Sequence, residues 1–212
     1  MKQTKNVIKF FICILLIIAG MFLIVLFFPI KIRTSEYEAR LSIGGVYLDR
    51  YLGEEKDVVV PNYIGFLPVT AIERDCFSKK EFIETVAISE NVKYIGVGAF
   101  SNCYKLKSIK GTNVKTVDNL AFFDDRNLEE VDLGNHLQFL WKQAFYGCNK
   151  LSYIPSKESL TKIDDNAFEG CDIKDIGDLK GITVGKDVFK DNPWSIEHNE
   201  SKENTENNVE GN

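Results

Sequence analysis

The chain has 212 residues, a formal net charge of −5, and contents of 44% hydrophobic and 27% charged residues. These values exclude a wholly disordered chain, and the absence of a basic excess argues against a nucleic-acid-binding surface. Two His and five Cys leave little material for a catalytic zinc site. The charge is uneven, because residues 1–33 hold five Lys/Arg and no acid, whereas residues 195–212 hold five Glu and one Lys.

The first predicted element is a membrane segment. From Phe10 to Ile30 there are 21 residues without a charge, and sixteen of them are Ile, Leu, Phe or Val. As a helix this segment would be about 31 Å long, close to the ~30 Å hydrocarbon core of a bilayer. The alternative is a cleaved signal peptide, but its apolar region usually has about 7–15 residues and ends at a small-x-small site, which this segment lacks.

We therefore expect a basic cytoplasmic tail at 1–9, an uncleaved transmembrane signal-anchor at 10–30 and a spacer at 31–44. A basic N-terminus in front of an apolar run favours a C-terminal part outside the cytoplasm, so the expected location is the cell membrane with a single pass. At the other end, residues 195–212 are rich in Asn, Glu and Ser, which predicts a disordered acidic tail.

Between these ends the sequence repeats. The dipeptide Ala-Phe recurs at Ala99-Phe100, Ala121-Phe122, Ala144-Phe145 and Ala167-Phe168, with degenerate copies at Cys76-Phe77 and Val188-Phe189. Other apolar residues keep a fixed register around each Phe. A unit of about 22 residues is too short to bury its own core and must stack on its neighbours, which predicts a repeat solenoid over 45–194 with an N-terminal cap unit.

Two short apolar patterns fill each unit. Leu128-Glu-Glu-Val131-Asp-Leu133 exemplifies the first, and Val92-Lys-Tyr-Ile95 the second. The first matches the strand of a leucine-rich repeat, so we expect it to form one rung of a parallel sheet. Six rungs at about 4.8 Å would make a sheet roughly 25 Å wide. The Ala-Phe segment is expected on a turn or short helix, with its Phe filling the coil.

The unit from Val92 to Ile109 resembles a BspA-like leucine-rich repeat, which has the form V-x-x-I-G-x-x-A-F-x-x-C-x-x-L-x-x-I. Val58–Pro61 and Gly65–Ile72 resemble the usual first unit of that family. The resemblance covers about residues 45–190. It implies a bacterial surface protein that serves adhesion or protein binding, without enzyme activity. We also expect no cofactor.

Some positions depart from the family pattern. Asp125 stands where Cys is usual, and Trp141 stands in the column filled elsewhere by Gly96, Asp118 and Asp164. The last unit is incomplete, and Asn192-Pro193-Trp194 is a candidate cap for it.

Three cysteines, Cys103, Cys148 and Cys171, share the column three residues after the repeat Phe. Cys148 and Cys171 would lie on neighbouring rungs, close enough for a disulfide. We nevertheless expect buried free thiols that fill the turn, as they do in the family, and the disulfide is the alternative. The repeat explains their spacing, and no C-x-x-C pair is present, so we expect no metal site.

No catalytic constellation is visible. His136 and His198 are isolated from any Ser or Cys motif, and the chain has no G-x-S-x-G, phosphate loop or G-x-G-x-x-G. We therefore expect a non-catalytic module for protein–protein interaction or adhesion. The alternative is a structural component of the cell envelope that acts by self-association.

Candidate contact residues for an extracellular or envelope protein fall in two groups. In the first strand pattern, Glu130, Asp132 and Tyr153 are expected to point outward. The second group is aromatic, because exposed aromatic side chains are common binding hot spots. Phe139 and Trp141 flank the inward Leu140, and Phe123 and Tyr146 share the column just after the repeat Phe.

Overall fold

The computed structural model describes Gly20 and residues 30–197. In that part the chain forms fourteen short strands: β1 (Lys31–Arg33), β2 (Tyr37–Ser42), β3 (Gly45–Tyr51), β4 (Asp57–Val59), β5 (Tyr63–Ile64), β6 (Leu67–Ile72), β7 (Thr85–Ala87), β8 (Tyr94–Ile95), β9 (Ser108–Lys110), β10 (Thr116–Val117), β11 (Glu130–Asp132), β12 (Phe139–Leu140), β13 (Lys162–Ile163) and β14 (Thr183–Val184). Ten of them form a large sheet in the order β1-β2-β3-β6-β8-β10-β12-β13-β14, with β5 paired to β6. The other four form a small sheet in the order β11-β9-β7-β4.

The N-terminal cap is antiparallel. β2 pairs with β1 on one side and with β3 on the other, and β3 then pairs in parallel with β6 of the first repeat. β2 alternates buried Tyr37 and Ala39 with half-buried Glu38 and Arg40, the period expected of a strand with one face on the core. Strands β1 and β2 thus occupy most of the segment 31–44, which had been predicted to be a spacer.

The repeats contribute parallel rungs to both sheets. In the large sheet β8, β10, β12 and β13 are two-residue strands with a buried second residue, such as fully buried Leu140 in β12, whereas the second residue of the terminal β14, Val184, is exposed. The expectation of six rungs built on the first apolar pattern is wrong, because that pattern supplies three strands of the small sheet, whose fourth strand is β4. The longer sheet uses the second pattern.

The core is a column of stacked phenylalanines, one from each coil. Centroid distances between neighbouring rings run from 4.8 to 5.9 Å between Phe77 and Phe189, with planes within 5° of parallel. Tyr51 packs on the first ring at 5.0 Å, and Trp194 meets the last ring edge-on at 5.8 Å and 68°. The repeat Phe therefore fills the coil as predicted, and both ends of the column are covered by an aromatic ring.

Each coil bends sharply on either side of its Phe. The residues two before and two after the Phe have positive φ, between 53° and 73°, in every repeat: Asp75, Gly98, Leu120, Gln143, Asn166 and Asp187 before it, and Lys79, Asn102, Asp124, Gly147, Gly170 and Asp191 after it. The Ala-Phe segment between these bends is a turn, so the turn alternative is the one observed.

The predicted fold class needs one correction. Among Gly20 and residues 30–197, no helix combines the length and the apolar character needed to cross a membrane. From residue 30 to 197 the helical parts are a 3₁₀ turn at Lys157–Ser159 and residues 193–197. The chain is described as a β-solenoid of short strands and turns. The span predicted at 10–30 falls, apart from Gly20 and Ile30, outside the described residues, as do residues 1–9 and 198–212.

Candidate protein-binding face

The outward side of the large sheet carries a pair of neighbouring aromatic rings. Phe139 and Trp141 flank buried Leu140, and both are half-buried on the opposite side of the strand, as strand alternation predicts. Their ring centroids lie 6.2 Å apart with planes 22° from parallel. The Nζ atom of Lys162, on the next rung, lies 4.3 Å from the centroid of the Trp141 ring, within the range of a cation–π contact.

In other coils the position equivalent to Trp141 holds either an acidic residue or a glycine with no space for a side chain. Asp118 accepts a hydrogen bond from the Tyr94 hydroxyl, and Asp164 lies 3.1 Å from the Lys162 Nζ. Burial, followed by the hydrogen bond to Asp118, raises the pKa of Tyr94 above its usual range. At Gly96 a Cβ atom would meet the backbone of Glu73 at 2.9 Å. Trp141 is therefore the position in this column where a large apolar surface is accessible.

The second aromatic pair lies on a different side of the coil. Phe123 and Tyr146 belong to the turns that carry the core Phe, and their rings stack on each other at 5.1 Å and 10°. Because each ring covers one face of the other, this pair presents less free surface than its sequence suggests.

The candidates near the small sheet make contacts within the chain. Glu130 lies 3.3 Å from the Nζ of Lys110, and the Asp132 carboxylate accepts a 3.1 Å hydrogen bond from the Gly134 amide. The Tyr153 hydroxyl accepts a 2.7 Å hydrogen bond from the Val131 amide. These three side chains are exposed, but each has an intramolecular role.

Charges beside the small sheet are paired between coils. Glu84 lies 2.7 Å from Lys107, and Glu129 lies 2.8 Å from Lys150. The hydrogen bond and charge of Lys107 lower the pKa of Glu84, and the same contact raises the pKa of Lys107. This side of the solenoid is thus an alternation of opposite charges rather than a surface of one sign.

The cysteine column is buried and in the free-thiol form. The Sγ atoms of Cys103, Cys148 and Cys171 each donate to the carbonyl of a core Phe in the preceding coil, at 3.1 Å. Burial raises the pKa of every one of these thiols, so the reactive thiolate is disfavoured.

The sequence did not reveal a groove on the outward side of the large sheet, beside the cap. It measures about 590 Å³ and is lined by Gly44, Tyr47, Thr70, Ala71, Glu73, Lys93 and Tyr94. Tyr94 occupies the same position in its strand as Phe139 does in β12. A comparison of this position across the repeats would therefore have identified Tyr94 as a second outward aromatic residue. Tyr47 and Tyr94 thus add aromatic surface near the cap, separated from Phe139 by Thr116 of β10.

The described residues show no arrangement of three or more His, Cys, Asp or Glu suited to a metal ion. His136 is exposed in the loop before β12. His198 lies outside the described part.

The fold is a leucine-rich repeat β-solenoid, and solved structures of leucine-rich repeat proteins share it. A leucine-rich repeat protein of T. pallidum is 22% identical, with a TM-score of 0.63, over 82% of this chain and 95% of that protein. A leucine-rich cell surface protein of Faecalibacterium prausnitzii is 21% identical, with a TM-score of 0.59, over 77% of this chain and 52% of the other. A leucine-rich repeat protein of Eubacterium ventriosum is 20% identical, with a TM-score of 0.56, over 77% and 50%. The chain thus spans about half the length of the latter two structures.

The family model for the BspA type leucine rich repeat region matches residues 70–194 in six copies. No curated protein matches the chain. The chain belongs to the BspA-type leucine-rich repeat family, which confirms the resemblance seen in its repeats and is consistent with a role in protein–protein interaction.

Proposed function

We propose that this chain is a non-catalytic binding module that holds a protein partner on the outward side of its large sheet, around Phe139 and Trp141. The observation that carries the proposal is the half-exposed ring of Trp141, which sits between Phe139 and Lys162 in a column that is otherwise small or acidic. Clustered aromatic and cationic side chains are enriched at the centres of protein interfaces.

The rigidity of the fold supports a protein-sized ligand. Successive coils are joined by parallel rungs and by the Phe column, so the outward side chains are held on a regular, extended surface. Glu130, Asp132 and Tyr153 are weaker candidates, because their polar groups are engaged within the chain.

The test begins with a pull-down by the full chain from extracellular and envelope fractions, read by mass spectrometry. Titration calorimetry then compares Trp141→Asp with the parent chain. The variant restores a residue type found elsewhere in the column, so its melting temperature should stay nearly unchanged. Binding should weaken by at least about 1–2 kcal/mol if Trp141 is a hot spot.

A matched control is Tyr104→Ser, which removes an exposed aromatic ring from another side of the solenoid and should leave affinity unchanged. If Trp141→Asp binds as tightly as the parent, the aromatic face is not the contact, and Glu130 and Asp132 become the residues to test. Self-association without any other captured protein would favour the envelope assembly role.

We also propose that the repeats lie outside the cytoplasm at the bacterial surface. The family resemblance supports this, as does the F. prausnitzii neighbour, which is named a cell surface protein. Protease added to intact cells, or to spheroplasts where a wall blocks it, should degrade the repeats. Full protection in intact preparations, with digestion after lysis, would contradict this location.

A further inference from the structure

Exposed apolar side chains gather at one end of the N-terminal cap. Phe66, at the tip of the β5–β6 turn, is 99% exposed, and Ile43, in the β2–β3 turn, is 57% exposed. Ile30, just before β1, and Leu67 are also exposed. We call Ile30, Ile43, Phe66 and Leu67 the apolar rim.

Strand directions place all four residues at the same end of the large sheet. β2 runs antiparallel to both β1 and β3, so the start of β1 and the β2–β3 turn lie together. The Ile30 carbonyl indeed accepts a 2.8 Å hydrogen bond from the Leu41 amide. β3 and β6 are parallel, so the start of β6 and its turn with β5 lie at that end too.

The two turns also approach each other closely. A Cβ atom on Gly45, which follows the β2–β3 turn, would lie 2.4 Å from the carbonyl oxygen of Pro68 in β6. The backbones that carry Ile43 and Phe66 therefore lie side by side at this end of the sheet.

Wholly exposed Phe66 has no counterpart in the loops before β8, β10 and β12, although the loop before β14 carries half-exposed Ile176, Leu179 and Ile182. In the later coils the loops that precede β8, β10 and β12 occupy the same end, and their exposed or half-exposed residues are polar: Glu90, Asn91, Thr112, Asn113, Asn135 and His136. Asn91 donates a hydrogen bond to the Asn62 carbonyl, so the polar loops begin directly beside β5. Leaving a wholly exposed Phe in water is unfavourable, and the surrounding repeats avoid it.

The composition of the chain that leads to Ile30 indicates what covers the rim. Residues 10–30 contain no charge and sixteen Ile, Leu, Phe or Val, and residues 1–33 hold five Lys/Arg and no acid. An apolar run flanked by basic residues favours an anionic lipid surface. The four side chains of the rim are also too few to supply the roughly 800 Å² per partner that a standard protein interface needs.

We propose that the apolar rim rests on an anionic lipid surface, with Phe66 and Ile43 at the boundary between head groups and acyl chains. This contact is made by described residues of the cap and requires no membrane-spanning helix. Trp141 follows the carboxyl end of β12, whereas the rim lies at the amino ends of β3 and β6. Lipid contact at the rim would therefore be made at the end of the strands opposite to the one that Trp141 follows.

The test measures contact with lipid at single positions of the full chain. In a background with Trp141→Phe and Trp194→Phe, one variant carries Phe66→Trp and a matched control carries Tyr104→Trp, at an exposed ring on another side of the solenoid. Both are mixed with phosphatidylcholine–phosphatidylglycerol vesicles, with or without bromine on the acyl chains. Bromine quenches a Trp that reaches the acyl boundary, about 5–10 Å into the bilayer surface.

We expect brominated vesicles to lower the Phe66→Trp fluorescence about twofold or more and to leave the Tyr104→Trp signal almost unchanged, since only the rim would reach that depth. Equal signals at the two positions, or no association of the chain with vesicles, would overturn the proposal. Protection of the Trp at position 66 from an aqueous quencher without lipid would also overturn it, since a second copy would then cover the rim. These results are independent of affinity at Trp141.

Discussion

The Tyr153 hydroxyl oxygen lies 2.7 Å from the amide nitrogen of Val131 and 3.2 Å from its carbonyl oxygen. Val131 is the central residue of β11, the last strand of the small sheet. Its neighbours use their backbone groups on the other side, since Glu130 donates to Lys107 and Asp132 accepts from Gly111. One side chain thus occupies the free edge where a further strand would pair, which protects the edge from intermolecular pairing.

We expect Tyr153→Phe to lower the free energy of unfolding by about 1 kcal/mol, because both hydrogen bonds to Val131 are lost while the ring is kept. Urea denaturation followed by circular dichroism measures the change. The exposed edge should also increase aggregation at high protein concentration, which light scattering detects.

Tyr104→Phe is the matched control. Its hydroxyl makes one 3.0 Å hydrogen bond, to the exposed side chain of Asn102, so its loss should cost almost nothing. Equal losses for the two variants would show that the Tyr153 hydroxyl does not stabilise the edge of the small sheet.

The Phe column predicts that truncating two phenylalanines will have very different effects on the free energy of unfolding. Phe145 is fully buried between Phe122 at 4.9 Å and Phe168 at 5.4 Å, whereas Phe139 lies on the outward side of β12. Phe145→Ala should cost about 3–5 kcal/mol, as buried aromatic truncations do, and Phe139→Ala much less. Thermal melts of both variants test this. Similar losses would mean that the inward and outward positions had been interchanged.

The sequence predicted this register because the Phe and its apolar companions recur at nearly constant spacing, and only one face of a coil can be buried. The outward placement of Phe139 and Trp141 followed from the same periodicity. The role of Tyr153 at the sheet edge could not be predicted, because a periodic pattern is the same in every coil and does not show where the small sheet ends. The cap strand β2 was missed because residues 37–42 have no counterpart in the repeats to be compared with.

Alanine substitutions at two glycines with positive φ distinguish the cost of backbone strain from the cost of a steric clash. Gly134 (φ 78°) and Gly181 (φ 88°) both have conformations that L residues rarely adopt. A Cβ on Gly134 would lie 1.9 Å from the Thr112 carbonyl oxygen, while a Cβ on Gly181 meets nothing within 4 Å. Gly181→Ala should therefore cost about 1–2 kcal/mol from backbone strain alone. Gly134→Ala should cost more, since the backbone of Thr112 must also move. A smaller loss for Gly134→Ala in urea denaturation would contradict this reading.

A buried carboxyl interrupts the cysteine column. Asp125 is fully buried, and its Oδ1 accepts a 2.7 Å hydrogen bond from the Cys103 amide, while Oδ2 has no partner among the described residues. Asn192 lies in the same column, where its Oδ1 accepts from the Ile173 amide and its Nδ2 donates to the Phe168 carbonyl. Because Cys103 and Cys148 of the same column donate to the core Phe carbonyl of the preceding coil, we expect a protonated Asp125 to donate to the Phe100 carbonyl. Burial raises the pKa of Asp125 well above its usual range, which favours this neutral form.

Because the folded chain then binds a proton that the unfolded chain releases near pH 4, stability should fall as the pH rises from about 4 towards the folded pKa of Asp125. Asp125→Asn removes this dependence and supplies a permanent amide donor, so it should raise the free energy of unfolding at pH 7 by roughly 1–3 kcal/mol. The reciprocal variant, Asn192→Asp, should destabilise the chain and steepen the fall with pH. Urea denaturation of the three proteins between pH 4 and pH 8 measures both effects. If the free energy of unfolding of Asp125→Asn depends on pH as steeply as that of the parent chain, Asp125 is ionised in the folded state and does not donate a hydrogen bond within the column.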